Sequence, residues 1–321
     1  MLFIDKHEVE RLAPYDSLIA ALANGLREPI ESPVRSHFNP NHDASTVLIM
    51  PAWKPGQIMG TKIVSIWPRN NARGQPAVSA TYVLTSCQDG TTLAVIDGTE
   101  LTLRRTAAAA ALAAQKLARA DSRRLAVLGT GALSAHLAMA HLCVFQLSEV
   151  TIWGRNRDKA ERVVAALAAA GIRATATTDL KRALSQADIV AAATTATTAF
   201  IPGDWVQPGT HLGLIGAFTA DMAEAEPQLL PRSRLFADSR AAVLEKGGEV
   251  VQALRAGLIQ RHDVRAELSE LIDSTVVGRV TASDITVFKS VGFAALDLIA
   301  AEHVFSGASA NASAASPAWP P

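Results

Sequence analysis

Leu125-Ala126-Val127-Leu128-Gly129-Thr130-Gly131-Ala132-Leu133-Ser134 carries the strongest fold signal in the chain. Four consecutive apolar residues suit a strand buried on both faces, and the residues from 133 to about 145 suit a helix. Glycines between a strand and a helix make a cradle for a pyrophosphate. Gly129 permits the tight turn, Gly131 lets an anion approach the backbone, and the helix start offers unpaired N–H groups with a partial positive charge. Gly129, Thr130, Gly131, Ala132 and Leu133 are therefore expected to hold a dinucleotide; an ordinary strand-turn-helix is the alternative. Ser134 stands where Gly or Ala is usual, which predicts slightly looser packing of helix on strand.

Downstream, strand and helix alternate. Val150-Thr151-Ile152-Trp153 reads as a strand, residues 158–170 as a helix, and residues 187–193 and 211–215 as two further strands. That order predicts an α/β fold with a Rossmann-type, doubly wound parallel sheet. The second strand ends in Trp153-Gly154-Arg155-Asn156-Arg157, without the acidic residue that usually holds the ribose hydroxyls of NAD. Gly154, Arg155 and Asn156 are expected at the cofactor, and Arg155 suits a 2′-phosphate, so NADP(H) is preferred and NAD(H) possible. A solvated loop arginine is the other reading of Arg155. Thr194, Thr195 and Ala196 follow another strand, where small side chains admit a cofactor, although a plain loop fits them equally.

Upstream, residues 2–102 alternate short β-type runs (46–50, 62–66, 81–84 and 93–96) with Pro-Gly and Asp-Gly turn signals, which predicts a second, mostly antiparallel α+β domain. Helices are expected over 15–26, over the alanine-rich 106–120, and over 288–305. The domains read as 1–120 with 285–305, and 121–284. Residues 306–321 lack a hydrophobic period and read as a disordered tail.

Thirty Lys and Arg balance thirty Asp and Glu, so no broad positive field exists to collect nucleic acid or an anionic membrane. No apolar run reaches the roughly 20 residues of a membrane span and the N-terminus lacks a leader pattern, which predicts a soluble, cytoplasmic protein with small-molecule partners. Cys87 and Cys143 lie in apolar-rich segments and are expected to be buried, inert thiols. Neither they nor the eight scattered histidines have metal-type spacing, so no metal site is expected.

Several further stretches belong together: Met50-Pro51-Ala52, Gly60-Thr61-Lys62, Asp97-Gly98-Thr99, Leu103-Arg104-Arg105-Thr106-Ala107-Ala108, Ile215-Gly216-Ala217 and Phe288-Lys289-Ser290-Val291-Gly292. With the glycine turn they span nearly all of residues 30–305, and in them the chain resembles the ornithine cyclodeaminase/mu-crystallin family. The resemblance implies an NAD(P) protein, a homodimer acting on amino acids or cyclic imino acids, with the first domain serving substrate binding and dimerisation. It implies that Arg35 and Arg105 bind a carboxylate and that Lys62 is the catalytic residue beside the reacting nitrogen. It extends the cofactor site to Thr106, Lys289 and Ser290, and it marks Leu133 as standing where a glutamine is common.

The departures narrow the activity. Where cyclodeaminases of this family keep a glutamate and an aspartate, this chain has Leu48 and Phe218, which cannot accept a proton. The resemblance then favours the branch that reduces the cyclic imino acids Δ1-pyrroline-2-carboxylate and Δ1-piperideine-2-carboxylate, with Phe218 lining the substrate ring. Cyclodeamination, amino-acid dehydrogenation and non-catalytic ligand binding are the alternatives. Asp238 and Glu224 are left without a catalytic role.

Overall fold

The alternating runs near the N-terminus form β1 (Leu2–Ile4), β2 (Ser36–Phe38), β3 (Thr46–Lys54), β4 (Ile58–Ile66), β5 (Val78–Ser86) and β6 (Thr92–Asp97) in a computed structural model that describes residues 1–42 and 45–315. They make one sheet in the order β1-β6-β5-β4-β3-β2, antiparallel except where β1 joins β6. Side chains two apart share a face. Leu48 and Met50 of β3, Lys62 and Val64 of β4, and Tyr82 and Leu84 of β5 are thus buried on one face, against which the helix Ala294–Ala315 lies. Gly60 is required there, because an added Cβ would stand 1.9 Å from Tyr82 Oη.

The alanine-rich helix is longer than its composition suggests and spans Gly98–Leu117. Asp97 Oδ1 accepts the Glu100 N–H at 2.8 Å and starts it, a cap that a search for alanine alone overlooks. The alanines at 107–111, 113 and 114 are all buried, as in a helix packed on every side.

The second sheet contains β7 (Arg124–Leu128), β8 (Glu149–Trp153), β9 (Thr175–Thr177), β10 (Ile189–Ala192), β11 (His211–Leu214), β12 (Arg234–Ala237), β13 (Val264–Glu267) and β14 (Thr286–Lys289). All eight are parallel, in the order β13-β12-β14-β11-β10-β7-β8-β9. Strand order reverses at β7, with β8 on one side and β10 on the other, and such reversal points open a crevice at the strands' carboxyl ends.

The chain divides into two compact units, Met1–Thr106 with the chain from Phe293 onward, and Ala107–Gly292. The C-terminal part of the alanine-rich helix belongs to the second unit, where Leu117 O accepts from Arg279 Nε and Thr286 Oγ1. Three expectations differ from the structure. Phe288 lies in β14 and not in the last helix, because its flanks pair with β11 and β12. That helix continues through residues 306–315, where a disordered tail was expected; Gly307 there approaches Leu12, and residues 316–321 lie outside the described residues. Cys87 and Cys143 are exposed, one in a turn after β5 and the other on the outward side of its helix. Among the described residues no helix is long and apolar enough to cross a membrane.

Candidate active site

In the second unit a cleft of about 310 Å³ opens where β7, β8 and β10 end. Gly129, Thr130, Gly131, Gly154, Arg155, Thr194, Thr195 and Ala196 line it, as do Trp153, Lys159, Thr198 and Phe200. Its glycines have separate reasons. Gly129 has φ +132°, and a Cβ there would stand 2.6 Å from Ala193 O; one at Gly154 would meet Thr130 Cγ2 at 2.5 Å. At Gly131 a Cβ would meet nothing within 4 Å, so this backbone faces open space. The helix Leu133–Val144 begins at Ala132 without a side-chain cap; Ser134 N–H turns back to Gly131 O at 3.1 Å, and an uncapped helix start of this kind favours an anion. A narrow turn, one open glycine and an uncapped helix start fit a dinucleotide pyrophosphate.

Arg155 is exposed at the rim, and Lys159, one turn into the helix Arg157–Ala169, adds a second cation. Asn156 accepts the Lys159 N–H at 2.9 Å and so caps that helix. Trp153 and Phe200 stack with centroids 5.2 Å apart and form an aromatic wall. Sequence reasoning missed Lys159, although its position one turn after Arg155 was a usable signal. Phe200 sits in a loop without a period to reveal it.

Behind the cleft a buried carboxylate ties two loops together. Glu224 Oε1 accepts from Thr194 N and Oγ1 at 2.6 and 3.0 Å, and Oε2 accepts from Gly216 N at 2.7 Å. Glu249 Oε1 accepts the Glu224 N–H at 2.6 Å, and its Oε2 lies 2.9 Å from Lys289 Nζ. Burial pushes the Glu224 carboxyl up, with the Lys289 charge opposing it. Lys289 and Ser290 are therefore occupied within the protein: Lys289 by Glu249, and Ser290 by Asp238, whose Oδ2 accepts its hydroxyl at 2.7 Å along with the N–H groups of Val291 and Gly292. The cleft lining contains neither of them, nor Ala132, Leu133 or Asn156. Phe218 is exposed on the loop after β11.

In the first unit Lys62, Arg105 and Asp297 converge. Asp297 Oδ1 is 2.7 Å from both Lys62 Nζ and Arg105 Nε, and the three residues are buried. Thr102 Oγ1 accepts a further Lys62 proton at 3.2 Å and donates to Gly98 O. Burial, the largest influence, brings Lys62 down to about 7; Asp297 opposes this, while Arg105 and Arg35 add to it. Burial pushes the Asp297 carboxyl up, but Arg105 and Lys62 hold it below the usual carboxylate range. Two cations on one carboxylate leave a net positive charge in a dry site, with Arg35 within electrostatic reach. Thr106 follows Arg105 on the same helix and is half-buried. Sequence reasoning missed Asp297, which stands in an apolar helical stretch 192 residues beyond Arg105.

A Rossmann-type α/β unit with a dinucleotide-shaped cleft, joined to an antiparallel-sheet unit with a buried cation cluster, is the architecture of a two-domain dehydrogenase or reductase. The Ornithine cyclodeaminase/mu-crystallin family model matches residues 2–312, and the chain belongs to that family. It is 35% identical to a Delta(1)-pyrroline-2-carboxylate reductase of Paracoccus denitrificans over 87% of this chain and 91% of that one. Among solved structures it is similar to Thermococcus litoralis Delta(1)-pyrroline-2-carboxylate reductase in complex with NADH and L-proline (TM-score 0.93, 27% identity, covering 97% of this chain and 98% of that one). It is also similar to an archaeal alanine dehydrogenase dimer with bound NAD (TM-score 0.90, 28% identity, covering 97% of each chain).

Proposed function

We propose that the protein is an NAD(P)H-dependent reductase of cyclic imino acids, converting Δ1-pyrroline-2-carboxylate to L-proline and Δ1-piperideine-2-carboxylate to L-pipecolate. The observation that carries this reading is the buried Lys62–Arg105 pair, which has cations for a carboxylate and an amine that exchanges a proton near neutral pH. Leu48 is buried in the same sheet face and offers no base for cyclodeamination.

Arg105, with Arg35, would hold the substrate carboxylate in the forked geometry that guanidinium favours. Lys62 would protonate the imine nitrogen, and Phe218 would border the ring. Gly131, the start of the helix Leu133–Val144, Arg155 and the 194–196 loop would hold the nucleotide, which when bound supplies a hydride for the imine carbon. Two cations at the rim, Arg155 and Lys159, favour NADP(H) over NAD(H). The outward face of the first sheet carries Phe3, Phe38 and Ile63, with 71%, 52% and 40% exposure, and a second copy of this chain would cover it in a homodimer.

The test gives the purified protein NADPH or NADH with Δ1-pyrroline-2-carboxylate, and in parallel NAD with ornithine and NADH with pyruvate plus ammonia. Consumption of reduced nicotinamide with stoichiometric proline is expected. Proline formed from ornithine without added reductant, or faster turnover with pyruvate and ammonia, would replace the reading with cyclodeamination or alanine dehydrogenation.

A further inference from the structure

Buried carboxylates facing two cations ordinarily use both oxygens. Asp297 does not: Lys62 and Arg105 both meet Oδ1 at 2.7 Å, while Oδ2 is buried without a hydrogen-bond partner. The consequence for the cations is geometric. Lys62 has three N–H donors, of which Asp297 and Thr102 take two, so one is left for a ligand. Arg105 reaches Asp297 through Nε, which leaves the planar edge of its two terminal amino groups for a carboxylate.

We propose that Asp297 is the positioning residue of this site, its Oδ1 fixing Lys62 and Arg105 relative to each other and setting the charge that Lys62 carries when it meets the substrate. The proposal rests on the imine-reductase reading. In the reduction an Nζ–H bond of Lys62 breaks and its proton bonds to the imine nitrogen, while hydride bonds to the imine carbon. The C=N double bond becomes CH–NH, Lys62 is left neutral, and the reduced nicotinamide is oxidised by two electrons. The step needs Lys62 protonated in a buried site that also holds Arg105. Without a carboxylate between them the two charges repel and the lysine releases its proton.

The groups that bear on Lys62 come from four directions. The helix Ala294–Ala315 contributes Asp297, and the helix Gly98–Leu117 contributes Arg105 and Thr102. Tyr82 is its cross-strand partner on β5, and Arg35 precedes β2. Asp297 is the one whose negative charge favours the ammonium, and burial, Arg105 and Arg35 act in the opposite direction. Removing it therefore has a definite sign.

The test compares Asp297→Asn and Asp297→Glu with wild type in two measurements: the pH profile of kcat/KM for the imino acid, and titration of the Lys62 side-chain nitrogen by 15N NMR, assigned by its loss in Lys62→Met. In Asp297→Asn the basic limb should move to lower pH by about one unit or more, giving a roughly tenfold or larger loss at pH 8 that narrows to about threefold or less on the acid plateau. The 15N titration should move with it, and Asp297→Glu, which keeps the charge, should keep the limb near its wild-type position. Equal loss at every pH with an unmoved 15N titration would overturn the proposal and leave Asp297 a packing residue. Should Asp297→Asn fail to fold, wild type decides: the Asp297 carboxyl 13C resonance should inflect at the Lys62 pH, and separate inflections would overturn the coupling. If wild type turns over no imino acid, the substrate reading fails while the NMR comparison still reads the link between Asp297 and Lys62.

Discussion

Gly129 and Gly131 are two residues apart and serve different ends, which makes them a sharp residue-scale test. Gly129→Ala would force a Cβ against Ala193 O at a positive φ, so the fold should lose about 1–3 kcal/mol, seen as a lowered Tm. Gly131→Ala adds a methyl to open space. It should leave Tm within about a degree and weaken nucleotide binding about tenfold or more, as measured by titration of cofactor fluorescence. Arg155→Asp should lower the NADPH-to-NADH affinity ratio about tenfold or more, and Lys159→Ala should lower it further; an unchanged ratio would remove the 2′-phosphate role. The glycine turn and Arg155 were legible because each follows from one local pattern, a strand, a turn and a helix. Lys62 and Arg105 came from the family resemblance. Asp297 was legible in neither way, because a single acid in an apolar helix acquires meaning only from what faces it.

At the scale of elements, the carboxyl ends of β10 and β11 are tied by Glu224, the starts of β11 and β14 are joined by the buried His211, and a second buried histidine, His141, bonds within its own helix. Glu224→Gln keeps the shape but weakens the bonds to Thr194 and Gly216, so nucleotide affinity should fall about threefold to tenfold with a smaller change in Tm. A large Tm loss with unchanged affinity would make Glu224 a purely structural tie. His141, on the helix Leu133–Val144, donates from Nδ1 to Leu137 O at 2.7 Å, and His211 on β11 meets Thr286 Oγ1 of β14 at 3.0 Å. Burial lowers His141 to about 4 from an ordinary 6.5, and lowers His211 well below it. The unfolded chain therefore binds more protons than the folded one below pH 6.5, and stability present above that pH is lost as pH falls toward 4. His141 alone should contribute on the order of 3 kcal/mol to this loss, and His141→Leu should flatten the dependence of Tm on pH across that window. Element types were largely readable, since buried parallel strands are continuous apolar runs. The place of β14 was not, because a strand from residues 286–289 enters between β11 and β12 by pairing that no local pattern encodes.

For the whole molecule, the outward face of the first sheet separates one copy from two. Charging it with the double substitution Phe3→Asp and Ile63→Asp should convert a dimer to a monomer in light scattering, because both residues lie on the face opposite Lys62. A dimer that survived would move the interface elsewhere. The Rossmann-type sheet, the glycine turn, the antiparallel unit and the family are readable along the chain, since periodicity, turn residues and short motifs are local and survive without coordinates. Which charged groups meet depends on the packing of distant segments. That packing turned Lys289 and Ser290 toward Glu249 and Asp238, and it brought Asp297 across 235 residues to Lys62. The physical reason is that burial and the distance between charges set what an ionisable group does, and both belong to the packed chain. The dinucleotide turn at 129–131 was written in its own residues, whereas the Lys62 site came into being when a helix laid one carboxylate across a sheet.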